Sequence, residues 1–216
     1  MSNSNAWDDQ ASTHDATSPE FPNEVPSSVR MDTIVSIPSG DTMSPHMPEP
    51  VEHALRPLFD ALPINRAMAH LVVNGGAPNS HIALVEQVLK DPALEGKDTI
   101  EAGLWLYVDE LQRSHDVSQG LNRPSGSFWH AIMHRREGDF SNSHHWYRKA
   151  GQHPVVHRID AGGGGAGAGT AIGSYECHAF VDRVERAASQ QSDSPDLVAM
   201  QRLEWVALFE WCAKHH

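Results

Sequence analysis

The sequence predicts an all-α protein, a compact helical domain behind a disordered N-terminal tail. Three observations lead there. From Val51 onward, apolar residues recur every three or four positions, the spacing that gives a helix one apolar stripe. No series of alternating apolar and polar residues bounded by turns runs through the chain, so no sheet is expected. Residues 1–50 differ in kind: Asp8, Asp9, Asp15, Glu20, Glu24, Asp32, Asp41 and Glu49 stand against a single Arg30, and half of the 14 prolines lie here.

Proline removes a backbone donor and blocks helix, and a polar acidic segment buries too little apolar surface to offset its ordering entropy. The tail is therefore assigned to 1–50 and the helical domain to 51–216. Within the tail, Val29 to Ile37 is weakly apolar and could lie extended along the domain.

Composition narrows the partners. A net charge of −12 repels nucleic acid and anionic membrane alike. No apolar stretch approaches the roughly 18 residues of a membrane span. Asp8 and Asp9 stand where a signal peptide needs positive charge. The expected setting is the cytoplasm. Cys177 and Cys212, the only two cysteines, sit among apolar neighbours in helical patterns and read as buried thiols.

The elements follow in order. Val51, Leu55, Leu58 and Phe59 mark a first helix that Pro57 interrupts. Ile82, Val85 and Leu89 mark a second, capped by Asn79 or Ser80 and ended at Asp91-Pro92. The clearest runs from about Thr99 to Ser114, with Ile100, Leu104, Tyr107, Val108 and Leu111 on one stripe and Asp98 or Thr99 as cap. Ser127 to Glu137 follows, stopped by Gly138, then Asn142 to Ala150, stopped by Gly151. Val155 to Ile159 is short and reads as extended. The run from Gly162 to Gly169 reads as a flexible loop. Cys177, Phe180, Val181, Val184 and Ala188 share the face of one more helix. Leu197 to Trp211 forms the last, opened by Ser194-Pro195.

One segment is dense in chemistry. Between His115 and His157 stand seven of the 15 histidines, with Trp129, Trp146, Arg135, Arg136, Glu137 and Arg148. His130 and His134 are four residues apart, so on a helix their rings share a face, and Glu137 extends it. Two imidazoles at that spacing can chelate one ion, with His115 or Asp116 as the third ligand. The simplest alternative is a wet helix surface, since Phe128, Trp129, Ile132 and Met133 take the other side. A metal-free polar pocket with one imidazole as general base is the third reading. Arg135, Arg136 and Arg148 are expected mainly to pair with Glu137, Asp139 and other acids, with an anion clamp as the functional alternative.

Other motifs carry less. Gly162-x-Gly164-x-x-Gly167 fits the dinucleotide fingerprint formally but lacks the strand, helix and second strand it needs, so no nucleotide cofactor is expected. No Gly-x-Ser-x-Gly occurs. His178 follows Cys177 directly, which on a helix points the pair about 100° apart.

Helix, Gly138-Asp139-Phe140, then Ser143 with Trp146-Tyr147-Arg148-Lys149-Ala150 resembles one tetratricopeptide-like helical hairpin over residues 127–151. The resemblance implies a small residue and an aromatic packing the second helix onto the first. No second copy is visible at a repeat period, and one hairpin cannot make a solenoid. The phrase from Gly126 to Asp139 resembles a segment of an uncharacterised family of bacterial helical proteins and implies no activity.

The functional expectation is a small-molecule or enzymatic site in which His130, His134 and Glu137 are catalytic and His115, Trp129, Trp146 and Arg148 bind the ligand. A transition metal at His115, His130 and His134 is the cofactor consistent with it. The expected partner is a small anionic molecule or a protein. The alternative is a non-catalytic helical interaction module. Neither nucleic acid nor membrane is expected as a partner.

Overall fold

The computed structural model describes residues 45–163 and 175–216. Residues 1–44 of the expected tail, the stretch Val29–Ile37 and most of the glycine run lie outside the described residues. Among those described, the fold is all helix: α1 (Glu49–Ala61), α2 (Asn79–Val88), a 3-10 turn (Pro92–Leu94), α3 (Asp98–Tyr107), α4 (Leu111–Gln119), α5 (Pro124–Glu137), α6 (Phe140–Ala150), α7 (Val155–Gly163), α8 (Cys177–Ser189) and α9 (Pro195–His215). None of these helices is long and apolar enough to cross a membrane.

α5 lies at the centre, and every residue from Ser125 to Arg136 is buried. It packs between α4 and α6 and against α3, while α3 also meets α9. Close approach needs small residues. Trp205 donates its indole N–H to the Gly103 carbonyl at 2.9 Å. A Cβ on Gly103 would stand 2.9 Å from both Phe209 and Trp129. A Cβ on Gly126 would lie 2.3 Å from Leu121, so the α4–α5 link requires glycine there.

The expected single helix over 99–114 is two. α3 ends at Tyr107, and Asp109 turns the chain with φ +67°. Asp109 N–H then bonds Leu106 O and Glu110 N–H bonds Trp105 O. α5 ends in the same way: Gly138 has φ +88°, its N–H bonds Arg135 O, and Asp139 N–H bonds His134 O. This is the left-handed helix stop with two returning bonds. The likeness extends into the crossings. Ser114 donates to Ala102 O at 2.9 Å, and Ser143 donates to Ala131 O at 2.8 Å. Each corresponding pair stands 29 residues apart, so α3–α4 and α5–α6 are hairpins of one build. Pattern reading misses the period because only Ala, Ser and a histidine (His115, His144) coincide, while the backbone device tolerates Asp in one copy and Gly in the other.

Three further expectations change. α1 runs through Pro57, an exposed position whose missing N–H takes one bond from the helix without breaking it. α2 and α3 begin without the side-chain caps expected of Asn79, Ser80, Asp98 or Thr99. Val155 to Ile159 is helical, not extended: Val155 and Ile159 are buried one turn apart, α7 packs on α9, and the His153 ring accepts the Val155 N–H at 3.2 Å. β-branched residues predict a strand only until a helical burial pattern outweighs their propensity.

Candidate metal centre

His130 and His134 point from α5 toward α4, where His115 lies one turn before Ser118. Ring centroids are 4.6 Å apart for His115–His130, 4.7 Å for His130–His134 and 5.6 Å for His115–His134. One ring nitrogen from each comes within 4.8 Å of the others. The surface reading of the pair is thereby corrected: His130 and His134 are 1% and 7% exposed, because α4 and α6 enclose the face that the sequence left open.

The Nδ1 atoms of both α5 rings are held. His130 Nδ1 is 2.8 Å from Ser118 Oγ, and His134 Nδ1 is 3.2 Å from Glu137 Oε2. Both rings therefore leave Nε2 for the cluster. His115 Nδ1 is buried with no hydrogen-bond partner, its nearest carboxylate, Asp116 Oδ1, lying 3.7 Å away. Burial, reinforced by His134, His115 and Lys149, pushes His130 down to about 3. Burial also lowers His134, against opposing effects of Glu137 and Asp139. Neutral imidazoles keep their lone pairs, the form a metal requires.

Trp146 of α6 covers His130 with centroids 3.9 Å apart, and Lys149 Nζ sits 4.0 Å over the Trp146 ring. Solvent reaches the cluster's neighbours His115, Asp116 and Glu137, whose side chains are 31%, 61% and 55% exposed. Of the expected site residues, His115, His130, His134, Glu137 and Trp146 thus converge. Trp129 and Arg148 do not. Trp129 is fully buried on the core side of α5 against Trp205 and Gly103. Arg148 is exposed, two residues beyond Trp146 and so on another face of α6, and Lys149 is the cation near the site. Ser118 escaped notice, although its position twelve residues before His130 matches the Ser114–Ala102 spacing across a hairpin.

Arg135 and Arg136 are paired with acids rather than free as clamps, though with acids other than Glu137 and Asp139. Arg135, fully buried, pairs with Glu204 at 2.5 Å, and Tyr147 and Tyr175 both donate to that carboxylate. Arg136, also fully buried, pairs with Asp109 at 2.7 Å. Both arginines turn inward and are fully buried, while Glu137 stays half exposed, so their partners, Glu204 and Asp109, come from facing elements.

Two other imidazole groups carry no equivalent chemistry. Ser125 Oγ is 3.0 Å from Nε2 of both His153 and His216, which suggests a nucleophile. The proton assignment rules it out. His153 Nδ1 accepts from Val155 N–H and His216 Nδ1 accepts from Arg123, so both Nε2 atoms carry the hydrogen and donate to Ser125. No base is left to take its proton. His144 is spanned by Asp182 at Nε2, 3.1 Å, and by His178 at Nδ1, 2.8 Å, so these ligand types lie on opposite edges of one ring and do not converge. A cavity of about 370 Å³ opens elsewhere, between residues 70–74 and the end of α8, beside the His70–Asp193 pair.

Comparison with protein-family models, with curated proteins and with solved structures returned no match. The functional reading rests on the geometry of the site.

Proposed function

We propose that the chain is a metal-dependent enzyme acting on a small molecule, with one divalent transition-metal ion held by His115, His130 and His134. The observation that carries this reading is the convergence of three imidazoles, one ring nitrogen of each lying within 4.8 Å of the others, with Nδ1 of His130 and Nδ1 of His134 each beside a polar partner. An all-imidazole set suits zinc and its neighbours among the transition metals, and three protein ligands leave a position open for substrate. Such an ion supplies Lewis-acid chemistry toward a carbonyl or phosphoryl oxygen.

The chain's own residues do the rest. Ser118 and Glu137 set the tautomer and direction of the two α5 ligands, as outer partners of metal-binding histidines do. Trp146 shields His130 from water, and the partly exposed side at His115 admits the substrate. Glu137, half exposed, is also placed to hold or pass a proton there.

Elemental analysis of the purified protein, stripped and then reloaded with zinc, tests the proposal. One equivalent should bind to wild type and be lost in His115→Ala and in His130→Asn with His134→Ala. His115→Ala, at the partly exposed ligand, guards against a buried double substitution that fails to fold. Zinc at 100 times its Kd should raise stability by about 2.7 kcal/mol, read as an upward shift in Tm. Wild-type protein that takes up no metal and shows no shift would sink the proposal.

A further inference from the structure

The two α5 ligands are placed by their own helix, but His115 belongs to another, and something must set its distance from them. α4 reaches the cluster only because the chain turns at Asp109, whose φ of +67° ends α3 and redirects the backbone. The side chain of that residue is gripped from α5. Arg136 Nη2 lies 2.7 Å from Asp109 Oδ1, an ion-pair contact without hydrogen-bond alignment, while Nη1 donates to Leu106 O at 2.8 Å and Nη2 donates to His70 O at 3.2 Å. Arg136 is two residues past His134 and points to the opposite side of the helix. One helix therefore carries two ligands and the clamp on the turn that delivers the third.

We infer that Asp109 and Arg136 are positioning residues of the metal centre, holding α4 so that His115 completes the three-histidine set. This rests on the metal reading of the cluster. The clamp suits the task because guanidinium presents a rigid fork: a carboxylate and a carbonyl of the turn are held from one planar group, which fixes direction as well as distance. The guanidinium is fully buried, while the Asp109 side chain stays 27% exposed, so the pair is anchored from the core side. The second hairpin makes the contrast. The equivalent turn uses Gly138, which has no side chain to clamp, and there the residue matching His115, His144, contacts His178 and Asp182 and joins no three-ligand convergence among the described residues.

The experiment is a double-substitution cycle on metal affinity, read by competition with a chromophoric chelator. Asp109→Asn tolerates the left-handed backbone and removes the charge that Arg136 holds. It should weaken zinc binding about 10- to 100-fold, the range seen when an outer partner of a ligand is lost. In a His115→Ala background, where His130 and His134 alone hold zinc too weakly to keep one equivalent through purification but measurably at higher zinc, it should add little, because the ligand it positions is already gone. Arg136→Lys, which keeps the charge and loses the fork, should behave like Asp109→Asn. In the metal-free protein the nuclear Overhauser contact between the His115 and His130 rings should weaken in both variants. A zinc affinity in Asp109→Asn equal to wild type, or a loss that adds in full to that of His115→Ala, overturns the inference and leaves the metal reading standing. Wild-type protein that binds no zinc overturns both.

Discussion

His130 shows how little of a residue's chemistry belongs to the residue. A solvent imidazole titrates near 6.5, whereas this one is held neutral down to about 3 by burial and by neighbouring cationic or ionisable groups. His153 is lowered to about 4, again chiefly by burial. Linkage gives the sign. Between the ordinary and the lowered value the unfolded chain binds more protons than the folded one, so stability falls as pH drops from about 6.5 toward 4. Thermal melts of the metal-free protein from pH 7.5 to 4 should therefore show a decreasing Tm. His130→Asn should flatten that slope, and an unchanged slope would show that His130 does not carry it. The helical spacing of His130 and His134 was legible in the sequence, which offered His115 or Asp116 to join them, and His115 is the one that meets both rings. Ser118 and Lys149 were not legible, because a serine or a lysine acquires its role only from what faces it.

At the scale of elements, the hairpins are set by small residues at crossings. Gly103 sits where α3 meets the rings of Trp129 and Phe209, with 2.9 Å available to a Cβ. Both rings are buried, so neither can yield cheaply. Gly103→Ala should cost about 1–3 kcal/mol in urea unfolding through overpacking, despite the better helix propensity of alanine. A variant as stable as wild type would mean that α3 can shift outward. Helix existence was readable from periodicity almost throughout. The break at Asp109 was not, because Val108 and Leu111 continue the apolar stripe across it. What breaks the helix is a left-handed residue held by a partner 27 positions later, and no local pattern reports that.

The whole molecule is tied together by charges in its interior. Glu204 of α9 receives Arg135 of α5, Tyr147 of α6 and Tyr175 just before α8, so three helices and the segment leading into a fourth share one buried carboxylate. Burial works against the Arg135 charge, but Glu204 and the two tyrosines outweigh it and keep the guanidinium cationic. Glu204→Gln should leave that charge buried and unpaired, a loss of about 3–5 kcal/mol in denaturant unfolding. A loss near zero would show that water reaches Arg135. The sequence by itself determined the helical class, most helix positions and the candidate ligands, because spacing along a helix dictates which side chains share a face. Only the tertiary structure decided that α5 is enclosed on every side, that Trp129 and Arg148 face away from the cluster, and that three imidazoles meet. Those outcomes depend on which helix covers which face, and that is settled by crossings and buried ion pairs between residues far apart in the chain.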